Sequence, residues 1–225
     1  MIREIVLDTE TTGLDPLHGH RVIEIGALEL LNHLPTGESF HVYINPERAV
    51  DVGAFEVHGL SDEFLESKPK FEEIAESFLT FIANDALIIH NARFDIGFLN
   101  AELRRLEMDE LPIERAIDTL QMARRKYPGA QASLDALCRR FEIDNSGRDL
   151  HGALIDSDLL ASVYLELIGG RQPGFELKRD AIVSESKEIA ETRAREPRPH
   201  APDPAELEAH QALLNEIKDP IWTRE

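Results

Sequence analysis

Two acidic residues, Asp8 and Glu10, follow directly on an apolar run near the start of the chain. Ile5, Val6 and Leu7 suit a buried central strand, and the alternation of side chains along a strand puts the two acids on the same side. Carboxylates about 4 Å apart repel by roughly 4 kcal/mol at an effective dielectric constant near 20, and hard cations such as Mg²⁺ and Mn²⁺ neutralise them well. The alternative, which a lone Asp-x-Glu pair favours, is a strand that ends in a polar turn with both acids solvated.

Two further acids stand at the ends of later elements. Asp95 follows the apolar run of residues 86–90, and Asp156 opens a long amphipathic helix. Each has an ordinary structural alternative. Asp95 could be a helix N-cap, and Asp156 could be exposed, although its apolar neighbours Ile155 and Leu159 place it near the buried stripe of the helix.

A histidine accompanies the last of these acids. His151 lies five residues before Asp156, and an imidazole with an ordinary pKa of about 6.5 can accept a proton near neutral pH. A lone histidine is more often a cap or a core residue. The acids that surround it in the pattern favour a general base here.

In this arrangement the chain resembles the DEDDh family of 3′–5′ exonucleases, whose blocks are D-x-E, N-x-x-F-D and H-x-x-x-x-D. The blocks read here, in order, Asp8-Thr9-Glu10, Asn91-Ala92-Arg93-Phe94-Asp95 and His151-Gly152-Ala153-Leu154-Ile155-Asp156. Five matched positions over three ordered blocks are far more specific than any one block. The resemblance covers about residues 4–168 and implies an RNase H-like fold.

Within the family, the chain is most similar to the proofreading exonucleases of bacterial replicative polymerases. The similar segments are Val57-His58-Gly59-Leu60, Pro128-Gly129, Ser133-Leu134-Asp135-Ala136-Leu137-Cys138 and His151-Gly152-Ala153-Leu154. One departure is Ser157, where the family usually has alanine after the last aspartate.

The resemblance implies a site for two divalent cations, Mg²⁺ or Mn²⁺. Asp8 would bridge both ions, and Glu10 and Asp156 would complete the metal on the nucleophile side. Asp95 would hold the second metal directly or through water, and His151 would be the general base. Such a site hydrolyses a phosphodiester by activating water at one ion and stabilising the leaving oxygen at the other.

The resemblance also suggests contacts with the substrate, a single-stranded or frayed DNA 3′ end. The main-chain turn at Thr11, Thr12 and Gly13 would contact the sugar of the terminal nucleotide. His58 and Phe94 would lie near that nucleotide, with packing as an equal alternative.

The net charge of −19 argues against a protein that binds nucleic acid tightly by itself, because the negatively charged phosphate backbone binds basic surfaces. It does not exclude an enzyme that handles a strand end through bound cations. The basic groups of the chain are interpreted as solvated helix faces more readily than as DNA contacts; they are Arg104-Arg105, Arg124-Arg125-Lys126 and Arg139-Arg140.

No apolar run reaches the ~18–20 residues of a membrane span, and the N-terminus has no signal-peptide pattern. We therefore expect a cytoplasmic location and no membrane partner. The single cysteine, Cys138, has apolar neighbours at helical spacing, which predicts a core residue outside any intrachain disulfide.

The order of elements predicts an α/β fold, with an RNase H-like mixed sheet flanked by helices, a C-terminal linker and a short partner-binding segment. Three strands within residues 5–44, with a turn at residues 35–38, predict an antiparallel meander. Further strands are predicted at 86–90 and 113–117. Helices are predicted over 71–82, 96–106, 118–127, 133–141 and from 151 onward, with a short helical or irregular element at 54–61.

The sequence predicts three regions: an exonuclease domain over residues 1–168, a linker over 169–204 and a polymerase-binding segment over 205–225. The linker is charged and interrupted by prolines, which is typical of flexible segments. Its residues Gln172, Phe175 and Leu177 look like a peptide that binds a sliding clamp, although short motifs also arise by chance.

The last region contains a predicted helix at residues 206–217, followed by Trp222. A tryptophan beside aliphatic residues is typical of binding hot spots, and the region resembles the part of the proofreading exonucleases that holds the polymerase catalytic subunit. A small accessory subunit is a further expected partner. The alternative is a small helix that folds back on the domain.

The predicted function is removal of mispaired 3′-terminal nucleotides as monophosphates. One alternative is a stand-alone exonuclease that acts on RNA 3′ ends or oligoribonucleotides, for which the tail would be superfluous. Another is a non-catalytic scaffold for polymerase and clamp, which the presence of all five active-site residues argues against.

Overall fold

The computed structural model describes residues 1–145, 152–170 and 202–217. The chain forms two compact units, Met1–Phe175 and Glu176–Glu225. Each unit is described by itself.

The first unit is built on a sheet of five strands in the order β3-β2-β1-β4-β5. The strands are β1 (Arg3–Thr11), β2 (Val22–Leu31), β3 (Leu34–Tyr43), β4 (Ala86–Ile89) and β5 (Ala116–Asp118). Strands β1, β2 and β3 pair antiparallel, while β1 with β4 and β4 with β5 pair parallel. The predicted meander and the predicted mixed sheet are both confirmed.

The turn between β2 and β3 was predicted in the wrong place. It consists of Asn32 and His33, both with positive φ, as the primed two-residue hairpin turns require. The segment from Pro35 to Glu38 instead belongs to β3. Because β3 is an edge strand, the lack of an N–H group on Pro35 does not break a hydrogen bond between two central strands.

Seven helices of the first unit are described. They are α1 (Val52–His58), α2 (Asp62–Glu66), α3 (Phe71–Ile82), α4 (Ala92–Arg105), α5 (Thr119–Lys126), α6 (Leu134–Phe141) and α7 (Ala153–Ile168). The predicted helices agree with these to within a few residues. The short helix α2 was not predicted, although Ser61 caps it by accepting the N–H of Phe64 at 3.2 Å.

The sheet has a hydrophobic core on each face. Residues of α3 and α4 pack with Ile5 and Leu7 in one core, and residues of α5, α6 and α7 pack with Val6 in the other. The alternation along β1 therefore divides its apolar side chains between the two cores. Cys138 is fully buried in the second core, as predicted.

The C-terminal half of α7 is held against the start of β1. The hydroxyl of Tyr164 donates to Glu4 Oε1 at 2.8 Å, and the other oxygen of Glu4 lies 2.6 Å from Nδ1 of His33. The ammonium of Lys126 donates to the carbonyl of Leu167 at 2.8 Å. The C-terminal half of α7 is therefore bonded to both β1 and α5.

In the second unit, the described residues form α8 (Pro204–Glu216). Asp203 accepts the N–H of Glu206 at 2.8 Å, and Glu206 accepts the N–H of Asp203 at 2.9 Å. This capping box explains why the helix begins here, and it confirms the predicted helix. The side chains of Leu207, Leu213 and Ile217 are exposed.

A search of the described residues for a helix of the length and apolarity of a bilayer span finds none.

Candidate active site

The two acids of β1 lie where this strand pairs with β2. Asp8 faces Gly26 and Glu10 faces Glu24 across the ladder, and the register shifts directly after Glu10. Both acids are half-buried. Since directly opposite residues of an antiparallel pair share a face, Asp8, Glu10 and Glu24 point to the side covered by α7. Glu24 Oε1 lies 2.7 Å from Nε2 of His41.

Helix α7 approaches this face without an intervening side chain. A Cβ atom on Gly26 would lie 2.2 Å from the carbonyl carbon of Ala153 and 2.3 Å from the nitrogen of Leu154, both in the backbone of α7. Just beyond, the hydroxyl of Ser157 donates to the carbonyl of Gly26 at 2.9 Å. The backbone of the first turn of α7 therefore packs directly against β2, beside Asp8.

This packing brings a third acid to the pair. Asp156, in the first turn of α7, is buried, and carboxylate oxygens of Asp8, Glu10 and Asp156 lie within 4.8 Å of one another. Three hard oxygen donors at this spacing fit a divalent cation of the Mg²⁺ or Mn²⁺ type. The prediction that β1 presents two acids to one side, joined by Asp156, agrees with this geometry.

The fourth predicted acid, Asp95, is not a member of that group. It is 3% exposed, and its Oδ1 accepts both the N–H of Thr9, at 3.1 Å, and the hydroxyl of Thr9, at 2.8 Å. Thr9 stands between Asp8 and Glu10, so these bonds tie α4 to the acidic tip of β1. Asn91, with a left-handed backbone, is the N-cap of α4, and the N-cap alternative for Asp95 is wrong.

Burial raises the pKa of Asp95 from its ordinary 3.8 to about 7, although the hydrogen bonds from Thr9 act in the opposite direction. A raised pKa means that folding favours the neutral acid. The resulting stability is present at pH values below the unfolded pKa and is lost as the pH rises towards 7.

Asp95→Asn should therefore stabilise the metal-free protein more at pH 8 than at pH 5. Asparagine has the same shape, can accept both bonds from Thr9, and never ionises. We expect the stability gap between variant and wild type to grow by about 2–3 kcal/mol over this range. Urea unfolding in EDTA at the two pH values measures the gap. All other titrating groups are the same in the two proteins. If their unfolding free energies changed with pH in parallel, the raised pKa assigned to Asp95 would be contradicted.

The predicted turn at Thr11, Thr12 and Gly13 is held by its own polar groups. The hydroxyl of Thr11 donates to the carbonyl of Gly13 at 2.6 Å, and that of Thr12 accepts the N–H of Arg21 at 3.0 Å. The ring of His20 lies against Gly13, where a Cβ would approach it to 2.3 Å. The turn begins at the last residue of β1, next to the acids, and its contact with the sugar stays a prediction.

The two side chains predicted near the terminal nucleotide are partly engaged in the fold. His58 ends α1 and is buried, and its Nδ1 accepts the N–H of Leu60 at 3.0 Å. The neutral ring therefore carries its proton on Nε2. The ring of Phe94 is half-buried and lies 4.9 Å from that of Phe98, so packing accounts for part of its surface.

Several predicted site residues lie outside the described residues. They are His151, Gln172, Phe175, Leu177 and Trp222. Their assigned roles stay predictions.

Sequence reasoning missed three residues that position the acids: Thr9, Gly26 and Ser157. For Gly26 the signal was available, because an isolated glycine inside an apolar strand marks a close backbone approach. For Ser157 the departure from the family's alanine is visible in the sequence, but its bond to β2 is not. Thr9 has no local signal, since its partner lies on α4.

Comparison with known proteins agrees with this geometry. The family model RNase T, described as "Exonuclease", matches residues 5–164. DNA polymerase III subunit epsilon of Rickettsia felis is 51% identical over 224 residues, which cover 96% of this chain and 97% of the relative. The same subunit of Escherichia coli is 51% identical over 176 residues, which cover 75% of this chain and 72% of the relative.

Solved structures share the fold. The nuclease domain of 3'hExo, a DEDDh family member bound to rAMP, has a TM-score of 0.64 at 19% identity and covers 74% of this chain and 91% of that chain. Exonuclease X in complex with 5′ overhanging duplex DNA has a TM-score of 0.59 at 23% identity and covers 73% of this chain and 90% of that chain. The chain therefore belongs to the exonuclease family, and within it to the DEDDh, epsilon-like group.

Proposed function

We propose that this chain is the 3′–5′ exonuclease that proofreads for a bacterial replicative DNA polymerase in the cytoplasm. The observation that carries the proposal is the group of three carboxylates within 4.8 Å, in a chain that is half identical to epsilon subunits over nearly its whole length. The alternative of a scaffold without catalysis gives no reason for three acids at this spacing.

The proposed metal ligands are Asp8, Glu10 and Asp156 for one divalent cation, Mg²⁺ or Mn²⁺, and Asp8 with Asp95 for a second. When bound, such cations supply the charge that activates water and stabilises the leaving oxygen. Thr9 keeps Asp95 in place for this role through the two bonds described above.

The chain's own proton acceptor is proposed to be His151, which takes a proton from the attacking water. The water oxygen bonds to phosphorus, and the bond to the 3′ oxygen of the preceding nucleotide breaks. That oxygen takes up a proton from solvent to form a hydroxyl, and the terminal nucleotide leaves as a 5′-monophosphate. Unpairing a base costs a few kcal/mol, and least at a mismatch. Frayed, mispaired ends would therefore reach the site most often.

The test is release of nucleotide from 3′-labelled single-stranded DNA in Mg²⁺, in Mn²⁺ and in EDTA. We expect monophosphate release that depends on metal and a rate about 10²–10⁴-fold lower for His151→Ala. His210→Ala, which changes an exposed histidine of α8, should leave the rate unchanged. Faster release from a matched RNA strand would favour a nuclease of RNA ends, and no release with any metal would favour the scaffold.

The tail is proposed to bind the polymerase catalytic subunit through residues 205–225 and a sliding clamp through Gln172, Phe175 and Leu177. The exposed Leu207 and Leu213 of α8, with Ile217 directly after the helix, are available as apolar contacts. A small accessory subunit is proposed as a further partner.

Deleting residues 171–225 should leave hydrolysis of free single strands intact and abolish co-elution with the polymerase subunit. The cut keeps Gly169 and Gly170, whose N–H groups complete the end of α7 by donating to Glu166 and Leu165. Size-exclusion chromatography and the nuclease assay measure the two effects. Loss of hydrolysis in the shortened chain would show instead that the tail belongs to the catalytic fold.

A further inference from the structure

A cavity of about 340 Å³ lies beside the edge strand β5, between the start of α4 and helix α5. Its apolar part includes Ile113, Ile117 and Met122, and its polar part includes Arg93 and Arg125. Ligands of α/β proteins bind in crevices outside the carboxyl ends of parallel strands. The cavity reaches the carboxyl end of β5 at Asp118, and none of the roles described above uses it.

The two arginines are exposed and form no ion pair or hydrogen bond within the described ranges 1–145, 152–170 and 202–217. The lining also contains one carboxylate, that of Asp118, which caps α5. It accepts the N–H of Gln121 at 3.1 Å as the cap of α5 and the side-chain amide of Gln121 at 3.1 Å. In a chain of net charge −19, two guanidinium groups facing one cavity form a local site for an anion.

The start of α4 links the cavity to the acidic tip of β1. Arg93 and Asp95 are two residues apart in the first turn of α4, so they point to nearly opposite sides of the helix. Asp95 reaches β1 through Thr9, while Arg93 faces the cavity at β5. Strands β1, β4 and β5 are neighbours, so the backbones of β1 and β5 lie about 10 Å apart.

We propose that this cavity binds the phosphodiester backbone of the DNA single strand upstream of the nucleotide being removed. The proposal rests on the exonuclease function proposed above. A guanidinium matches the geometry of a phosphate, and the apolar side chains of Ile117 and Met122 offer a surface for a sugar or base. A free nucleotide monophosphate shares the phosphate chemistry, and the experiment separates the two.

The first measurement is binding of a fluorescein-labelled deoxythymidine oligonucleotide in EDTA, followed by fluorescence anisotropy over a series of salt concentrations. We expect the double variant Arg93→Gln/Arg125→Gln to bind about tenfold more weakly near 0.1 M salt. The slope of log affinity against log salt should fall by about 0.7 for each phosphate that the variant no longer neutralises. The matched control is Arg104→Gln/Arg139→Gln, which removes two exposed charges outside the cavity and should keep affinity and slope.

The second measurement is hydrolysis. The double variant should lose about tenfold in kcat/KM on the oligonucleotide and nothing on the 4-nitrophenyl ester of thymidine 5′-monophosphate, which has no upstream nucleotide. Its melting temperature should be no lower than that of the control pair, in which Glu110 loses its ion pair with Arg104.

Equal binding by the double variant and its control would overturn the proposal. So would equal losses on both substrates, since the arginines would then act at the reacting phosphate. Weaker binding of thymidine monophosphate with unchanged binding of the oligonucleotide would show a product site instead. If the wild type binds in this way and hydrolyses nothing, the exonuclease function fails while the strand site stands.

Discussion

Replacing Asp8 by asparagine is expected to lower kcat/KM on single-stranded DNA by at least about a thousandfold. Asp8 supplies one of the three carboxylates that lie within 4.8 Å, and the amide keeps its size while removing its charge. Stabilisation by bound cations is worth several kcal/mol, and about 1.4 kcal/mol corresponds to a tenfold change in rate. Steady-state kinetics over a series of Mn²⁺ concentrations would measure the loss.

The same substitution has a second readout in thermal stability. In EDTA, removing one of three crowded like charges should raise the melting temperature above that of the wild type. Added Mn²⁺ should raise the melting temperature of the wild type more than that of the variant, because a ligand stabilises only the state that binds it.

Asp158→Asn is the matched control for Asp8. It removes the same charge from an exposed position on α7, two residues after Asp156, and should leave both activity and the Mn²⁺ response unchanged. An Asp8→Asn protein with a tenth or more of wild-type activity would refute the role assigned to Asp8.

Gly26→Ala is expected to lower kcat/KM by about a hundredfold or more, although Gly26 carries no reacting group. The added methyl would lie 2.2–2.4 Å from backbone atoms of Ala153 and Leu154, and these cannot rotate away as a side chain could. Helix α7 must shift, and Asp156 shifts with it. A misplacement of about 1 Å in a catalytic site can cost about a hundredfold in rate, and overpacking costs about 1–3 kcal/mol in stability.

The control for this substitution is Gly97→Ala. Gly97 lies inside α4, and a Cβ there would have no neighbour within 4 Å, so alanine should stabilise the protein by up to about 1 kcal/mol. Activity assayed well below the melting temperature separates displacement of α7 from unfolding. Wild-type kcat/KM in a folded Gly26→Ala protein would show that α7 does not need this close approach.

Local patterns in the sequence were sufficient for most of the elements. The apolar run Ile5–Leu7 and the helical spacing after Pro69 depend on neighbours a few positions away, and the structure has the strand and the helix there. The hairpin turn was misplaced because Pro35 and Gly37 are strong turn signals. Asn32 and His33 gave a weaker one.

The arrangement of the site could be predicted only in part, because local patterns do not show contacts between distant segments. That Asp8 and Glu10 share a side follows from the strand itself. That Asp95 is held by Thr9, outside the group of three carboxylates, depends on how α4 packs against β1. Such contacts between distant segments leave no periodic trace in the sequence.

Helix α7 contacts β1 at both ends of the helix, so the nuclease site can form only late in the synthesis of the chain. The carboxylate group joins residues near the start of the chain to Asp156, and Tyr164 bonds to Glu4 at the other end of the same helix. Closing so long a loop is slow, and it cannot happen before α7 has left the ribosome. A growing or truncated chain therefore has the acids of β1 but no complete site, and only a finished exonuclease domain can cut DNA.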